Sequence, residues 1–125
     1  MQLRLERARE CLESALREVE AEAHKEAANR SYYAIFHAMR AVLALDGIDS
    51  KKHSGIISEF GHRYIKTELF PKEFSKLIQK AFKVRNDSDY DDFYVISKDE
   101  VLEQIENAKT FLGAVELYVG TLLSL

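Results

Sequence analysis

The chain has 125 residues and a mass of 14.4 kDa, which suits a single domain over residues 1–125 that buries a core without disulfides or metals. Its 18 basic and 21 acidic side chains give a net charge of −3, which excludes a broad basic surface for coating polyanions. The single cysteine excludes an internal disulfide, and no apolar run approaches the roughly 18 residues that a membrane span needs. We therefore expect a cytoplasmic protein with no membrane association.

Hydrophobic residues at spacings of three and four predict about five helices, and only five glycines and one proline are available to interrupt them. The expected helices are Leu3–Glu22, Lys25–Gly47 with Gly47 as a left-handed cap, a short helix capped by Ser54, a fourth from Pro71, and a fifth from the capping box Ser97–Glu100. A polar stretch, Asn86 to Tyr94, is expected to end the fourth helix. No strand alternation is visible, so the fold class is all-α: an antiparallel up-down helical bundle.

The second predicted helix is apolar over most of its circumference, which is typical of a central helix. Four alanines form a smooth face that lets another helix approach closely: Ala27, Ala34, Ala38 and Ala41. Beside it runs a stripe of five polar side chains: Asn29, Arg30, Tyr33, His37 and Arg40. The alignment of these groups indicates that the stripe faces a groove or an interface, and the alternative is an ordinary solvated edge.

Arg85 is placed by its spacing from Ile78 and Ala81 on the apolar face of the fourth helix. A guanidinium cannot lose its proton, and burying it unpaired is costly. Two interpretations stay open. Arg85 forms an internal ion pair with Asp87 or Asp89, or it holds a phosphate, whose oxygens suit its planar fork.

No metal site is predicted. Asp87, Asp89 and Asp91 resemble the start of a calcium loop, but Asp92 stands where that loop needs glycine and Lys98 where it needs glutamate. The Glu-x-x-His spacing of carboxylate-bridged di-iron bundles occurs once, at residues 59–62, where two copies are needed. The basic cluster at 51–53, which includes Lys52 and His53, is either an anion site at a helix start or a solvated loop.

Three segments together closely resemble the HEPN (higher-eukaryote and prokaryote nucleotide-binding) domain family, in its small free-standing prokaryotic branch. They are Asn-Arg-Ser-Tyr-Tyr-Ala-Ile-Phe-His-Ala at 29–38, Lys-His-Ser-Gly at 52–55 followed by Phe60, and Arg85 with Ser88-Asp89-Tyr90. The resemblance implies an antiparallel helical bundle that forms a homodimer. It also implies a metal-independent endoribonuclease that needs no cofactor and acts as a toxin beside a minimal nucleotidyltransferase antitoxin.

The resemblance assigns roles to residues of the fourth helix. The family motif is an arginine followed four to six residues later by a histidine, paired across the dimer. Arg85 matches the arginine and Asn86 the polar residue after it, but Tyr90 stands where the histidine belongs, and no histidine follows His62. A phenol with a pKa near 10 is a poor base at neutral pH.

A base for cleavage would therefore come from elsewhere in the chain, from His37 or His53. The same resemblance makes Arg85, Arg30, Tyr33, Lys52 and His53 the candidate ligands of an RNA or nucleotide phosphate. In related systems the partner nucleotidylates a tyrosine near the motif, which here implies Tyr90 or Tyr94.

Three functions follow from these observations. The first is an RNA-cleaving toxin of a nucleotidyltransferase-linked pair. The second is a non-catalytic dimer that binds nucleotides or a protein partner. The third is a helical dimerisation protein in which Arg85 is only an internal ion pair.

Overall fold

The computed structural model describes residues 1–123. It contains five α-helices and one π-helical turn: α1 (Gln2–Glu20), α2 (His24–Leu45), α3 (His53–Phe60), the π turn (Gly61–Ile65), α4 (Glu73–Tyr90) and α5 (Lys98–Leu123). Residues 1–123 form no β-strand. Short connections of three to seven residues join successive helices, as in an antiparallel bundle. The predicted all-α helical fold is confirmed.

Helix α2 is the centre of the bundle, since it contacts α1, α3, α4 and α5. Its alanine face has no exposed surface at Ala27, Ala34, Ala38 or Ala41, which lets α1 pack closely against it. The large side chains Tyr32, Ile35 and Met39 are also almost completely buried. A helix buried on this many sides positions its few polar groups rigidly, so the polar stripe of α2 has well-defined neighbours.

The helix ends follow local signals in the sequence. After Leu45 the chain forms a Schellman motif in which the Gly47 N–H donates to Ala44 O at 3.1 Å and the Ile48 N–H donates to Leu43 O at 3.0 Å. Gly47 has a φ of 71°, the left-handed conformation that glycine adopts without strain. At the start of α5 the Ser97 hydroxyl oxygen accepts the Glu100 N–H at 3.1 Å, as an N-cap does.

Two predicted helix starts are wrong by one or two residues. Helix α3 begins at His53, so Ser54 lies inside it and does not cap it; Lys52 precedes the helix without a side-chain cap. Helix α4 begins at Glu73, because Pro71 lies in the turn before it, where its carbonyl accepts the Phe74 N–H at 3.0 Å.

The predicted interruption at Asn86 is also wrong, because α4 continues to Tyr90. Two ion pairs, each between residues one helical turn apart, support this last part of the helix. Lys83 Nζ lies 2.7 Å from Asp87 Oδ2, and Arg85 Nε lies 3.1 Å from Asp89 Oδ2. Opposite charges four residues apart stabilise a helix modestly, which offsets the weak helix propensity of the polar stretch.

The π turn after α3 was not predicted. The Lys66 N–H donates to Gly61 O at 2.9 Å, a hydrogen bond over five residues. The turn keeps Tyr64 and Ile65 buried, and the Tyr64 hydroxyl donates to Asp46 Oδ2 at 2.6 Å beside the end of α2. Within residues 1–123, no helix is both long enough and apolar enough to cross a membrane.

Candidate functional site

Arg85 is held by groups of its own chain. Its Nη2 donates to the Tyr33 hydroxyl at 3.1 Å and its Nη1 to Asn86 Oδ1 at 3.0 Å. Its Nε lies 3.1 Å from Asp89 Oδ2, an ion pair whose geometry falls short of a hydrogen bond. The Arg85 side chain is only 15% exposed. Of the two carboxylates considered as partners, Asp89 is therefore the one that compensates this charge, whereas Asp87 pairs with Lys83.

Aromatic rings surround the same guanidinium. Arg85 Cζ lies 5.7 Å from the ring centre of Tyr32, 5.5 Å from that of Tyr33 and 5.9 Å from that of Tyr90. Cations are attracted to aromatic faces at such distances, more strongly where water is displaced. We call Arg85 with Tyr33, Asn86 and Asp89 the arginine cluster.

Tyr32, the residue before Tyr33, contacts His53 at the start of α3. Its hydroxyl lies 2.8 Å from His53 Nδ1, and the His53 ring stacks on Phe36 with ring centres 4.2 Å apart. Burial raises the pKa of Tyr32 far above its ordinary range, so the phenol stays protonated. Burial, together with nearby Arg85 and Arg40, lowers the pKa of His53 and favours the neutral imidazole. With Nδ1 held by Tyr32, Nε2 is the His53 nitrogen left for a ligand.

Between α1, α2 and the loop before α3 lies a cleft of about 460 Å³, which we call the cationic cleft. Four basic side chains line it and no carboxylate does: Arg7, Arg30, Arg40 and Lys51. Only Arg40 is compensated, because its Nη2 lies 2.9 Å from Asp49 Oδ1. The other three form no side-chain hydrogen bond or ion pair with any residue of the described chain. The cleft therefore has positive charge that its own chain leaves available for an anion.

His37 lies in the same cleft and responds to that charge. Burial, and then the positive charges of Arg7, Arg40 and Arg4, lower the pKa of His37 to about 4. Its Nδ1 is buried without a hydrogen-bond partner among the described residues. His37 is therefore neutral at neutral pH; burial is the main cause of its low pKa, and the neighbouring arginines add to it.

The structure brings most of the predicted site residues together around Tyr33. Four members of the α2 stripe line the cationic cleft: Arg30, Tyr33, His37 and Arg40. The fifth, Asn29, instead donates from Nδ2 to Asp89 Oδ2 at 3.3 Å. His53 forms part of the cleft wall, and Arg85 and Asn86 adjoin it through Tyr33.

Three other predicted residues lie outside this arrangement. Lys52 is exposed at the start of α3 and does not line the cleft. Tyr90, at the end of α4, is 77% exposed, and its only contact with the arginine cluster is the ring beside Arg85. Tyr94 is half-buried, and its hydroxyl donates to Glu100 Oε2 at 3.4 Å.

Arg7 is the basic residue of the cleft that no sequence pattern singled out. Arg7 follows Arg4 by one helical turn and precedes Cys11 by another, so these three side chains share a face of α1. Helical spacing could have grouped them, but only the packing of α1 on α2 places that face at the cleft. Lys51 belonged to the predicted basic cluster, and the structure places it, rather than Lys52, in the cleft.

A larger groove of about 630 Å³ lies elsewhere, between α3 with the π turn and α4. Its walls include Ile57, Ile65, Ile78 and Phe82. It lacks a cluster of unpaired charges and is therefore not our candidate site. Within residues 1–123, no three His, Cys, Asp or Glu side chains lie close enough together to hold a metal ion.

Comparison with known proteins gives one family and several relatives that cover most of the chain. The model of the HEPN domain matches residues 1–118. A "UPF0332 protein" of Thermotoga maritima is 34% identical over 116 residues, which cover 93% of this chain and 88% of the relative. A "UPF0332 protein" of Archaeoglobus fulgidus is 32% identical over 112 residues, 90% of this chain and 89% of the relative. "Putative toxin MJ0142" of Methanocaldococcus jannaschii is 30% identical over 115 residues, 92% of this chain and 78% of the relative.

Proposed function

Because the chain belongs to the HEPN domain family, we propose that it is the toxin of a toxin–antitoxin-like pair and binds RNA or nucleotide phosphate in the cationic cleft. The observation that carries this proposal is the set of three cleft cations, Arg7, Arg30 and Lys51, that no group of residues 1–123 neutralises. The toxin in the name of the Methanocaldococcus jannaschii relative supports the cellular role.

We further propose that the bound RNA is cleaved without a metal. His53 Nε2 would take the proton of a ribose 2′-hydroxyl, whose oxygen attacks the adjacent phosphorus. The bond to the 5′-oxygen of the next nucleotide breaks, that oxygen takes a proton from water, the protonated His53 returns its proton to the hydroxide that is left, and a 2′,3′-cyclic phosphate remains. Arg30 and Arg85, on either side of Tyr33, would stabilise the charge that develops on the phosphate oxygens.

Tyr32 fits this scheme as the residue that positions His53. A hydroxyl both donates and accepts, so Tyr32 can pair with His53 Nδ1 in either tautomer of the imidazole. His37 is a weaker base than His53 in this proposal, because its pKa is near 4. Asn86 would orient the Arg85 guanidinium that it contacts at 3.0 Å.

The test is cleavage of single-stranded RNA by the purified protein in the presence of a chelator. His53→Ala should reduce the rate about 100-fold or more, the usual contribution of a positioned base. His62→Ala is the matched control, because His62 is exposed on the π turn away from the cleft. A His53→Ala protein that cleaves as fast as the His62→Ala protein would exclude His53 as the base. No cleavage by folded wild-type protein would exclude the activity.

A second function, as a regulated binding partner, is favoured by the position of Tyr90. Its ring is 77% exposed and its hydroxyl forms no hydrogen bond within the described chain, whereas the hydroxyl of Tyr94 is engaged by Glu100. In a nucleotidylation, the Tyr90 Oη would attack the α-phosphorus of ATP, release pyrophosphate and carry the adenylyl group. The agent would be a minimal nucleotidyltransferase that acts as antitoxin.

Mass spectrometry of the chain after incubation with ATP and a nucleotidyltransferase encoded beside it tests this second function. We expect a mass increase on the peptide containing Tyr90, absent in Tyr90→Phe and unchanged in Tyr94→Phe. Modification of Tyr94 alone would reverse the assignment. An unmodified chain that also fails to copurify with the transferase would exclude the partnership.

A further inference from the structure

A second pocket, of about 300 Å³, adjoins the cationic cleft at Arg30, which lines both. The end of α1, the start of α2 and the last turns of α4 form its walls. We call it the acidic pocket, after the three carboxylates that line it: Glu18, Glu26 and Asp89. Glu18 follows Cys11 of the cleft by two helical turns on the same face of α1. The surface between α1 and α2 is therefore positive at the cleft and negative at the adjoining pocket.

Ser88 lines the acidic pocket from α4 and has an unsatisfied hydroxyl. The residue is only 6% exposed, and its Oγ is buried without a hydrogen-bond partner among residues 1–123. The other buried serine, Ser31, instead donates to the carbonyl of Ala27 in its own helix at 2.9 Å. Because a buried polar group without a partner is costly, a ligand that reaches Ser88 gains a hydrogen bond that the chain does not supply.

The charges of the acidic pocket restrict the kind of ligand. Glu18 and Glu26 form no side-chain hydrogen bond or ion pair within the described chain, and with Asp89 they repel an anion such as phosphate. Lys25 and Arg30 line the same pocket, likewise without an acidic partner among residues 1–123, and they oppose a cation. A neutral group with several N–H donors is the ligand that suits both signs of charge.

We propose that the acidic pocket binds the base of the nucleotide whose phosphate lies in the cationic cleft, and that it selects guanine. The inference rests on the proposed binding of RNA phosphate in that cleft. A single ribose joins a base to its phosphate, and Arg30 lines both sites, so a phosphate at Arg30 leaves its own nucleoside beside the pocket. Proteins read single-stranded RNA in this way, by hydrogen bonds to the Watson–Crick edge of an unpaired base.

Guanine fits the acidic pocket because its N1–H and N2–H donors lie side by side, and one carboxylate accepts both. Adenine and cytosine place a ring-nitrogen acceptor beside their amino group, and uracil flanks its single N–H with two carbonyls, so each turns a lone pair toward a carboxylate. We assign the contact to Glu18, which is half-buried and unpaired, whereas Glu26 is exposed and Asp89 belongs to the arginine cluster. The Lys25 amine would donate to guanine O6, and the Ser88 hydroxyl would accept the second N2–H.

Fluorescence anisotropy of the full chain with labelled oligouridylates tests the proposal, when one central uridine is replaced by another nucleoside. A 2′-O-methyl ribose throughout prevents attack by the 2′-oxygen and so separates binding from cleavage. A central guanosine should strengthen binding about tenfold over uridine, the discrimination that one bidentate contact gives. Adenosine should give no such gain. Inosine, which lacks the 2-amino group, should lose most of it, because it leaves a buried acceptor unpaired.

Glu18→Gln should abolish the preference for guanosine without weakening the binding of unsubstituted oligouridylate, because it removes a negative charge near the cleft. Glu13→Gln is the matched control, since it removes the same charge from an exposed position of α1 outside the pocket and should keep the preference. Ser88→Ala should reduce the preference about threefold. Its melting temperature should not fall, because the hydroxyl has no partner within residues 1–123.

Three results would overturn the inference: equal affinity for all central nucleosides, a preference for a base other than guanine, or a guanosine preference that survives Glu18→Gln. Binding without base preference would leave the proposed phosphate site of the cationic cleft standing. Failure to bind any of the oligonucleotides would overturn that site and this inference together, so the two failures are distinguishable.

Discussion

Basic side chains lie on both sides of Tyr33, but the chain compensates their charge on one side and not on the other. On the α4 side, Arg85 is 15% exposed, donates hydrogen bonds to Tyr33 and Asn86, and forms an ion pair with Asp89. On the α1 side, Arg7 and Arg30 line an open cleft without any acceptor from the described chain. A compensated charge contributes mainly to the fold, whereas an uncompensated charge at a concave surface is available for a ligand.

This difference changes the interpretation of the motif arginine. Arg85 has a structural role, because it already contacts Asp89 and Tyr33. A ligand would bind Arg85 in addition to these contacts. The consecutive tyrosines of α2 join the two regions, because Tyr33 accepts from Arg85 and Tyr32 pairs with His53. Four predictions test whether Arg85 is mainly structural and whether the cations of the cationic cleft are available to a ligand.

The largest effect is expected for Arg85→Ala. It removes the counter-charge of Asp89 and a donor to Tyr33, and we expect the free energy of unfolding to fall by about 1–3 kcal/mol. Arg63→Ala is the control, because its ion pair with Glu59 at 2.9 Å is 45% exposed on both sides and is worth less than about 1 kcal/mol. Urea denaturation measures both variants. Equal losses would mean that Arg85 is no more structural than a surface ion pair.

The next effect is a pH dependence that arises from His37. Its pKa is near 4 in the folded protein and near 6.5 when unfolded, so between these values the unfolded chain binds the extra proton. Stability should therefore fall as the pH falls through this window, and should not depend on His37 above it. His37→Gln should flatten the profile in urea denaturation at several pH values. An unchanged slope would mean that His37 does not titrate with a lowered pKa in the folded protein.

A smaller effect is expected for Arg30→Ala on RNA binding. Each cation that contacts a phosphate of a single strand contributes about 0.7 to the salt dependence, so the magnitude of the slope of log K against log salt should decrease by about 0.7. Lys109→Ala is the control, because Lys109 lies on α5 outside the cleft and is paired with Glu106. Fluorescence anisotropy with a short single-stranded RNA measures both slopes. A slope equal to that of the wild type would exclude Arg30 as a phosphate contact.

The smallest effect is expected for Tyr90→Ala. Its ring is 77% exposed and lies 5.9 Å from Arg85 Cζ, so the free energy of unfolding should change by less than about 0.5 kcal/mol. Tyr33→Phe, which removes the hydroxyl that accepts from Arg85, should cost about 1 kcal/mol. If thermal denaturation shows the reverse order, Tyr90 is a structural member of the arginine cluster and not only an exposed side chain at the end of α4.

Much of the fold could be predicted from local patterns. The buried positions of α2 follow a helical period, and Gly47 and Ser97 mark helix boundaries through conformations and caps that depend on a few neighbouring residues. The extension of α4 to Tyr90 differs from the prediction, because the pairing of Arg85 with Asp89 four residues later stabilises a helix that the polar composition disfavours. That pairing at four residues was a visible signal.

The candidate site was predictable in part. The α2 stripe was visible because its members lie on one helix, and so was the unusual position of Arg85. Arg7 was not, and the basic cluster at 51–53 stayed open between an anion site and a solvated loop, since the place of both in the cleft depends on how α1 and the loop before α3 lie on α2. The hydrogen bond between Tyr32 and His53 joins residues 21 positions apart, and no local spacing predicts it.

The sequence by itself therefore determined the helices, the central role of α2 and the family, because these depend on residues within a few turns of one another. The tertiary structure decided which charges are compensated, because compensation requires two groups a few ångströms apart in space. Net charge showed only that the whole surface is not basic. The packing of α1 and the loop before α3 around α2 concentrates positive charge in one cleft of a chain whose net charge is −3.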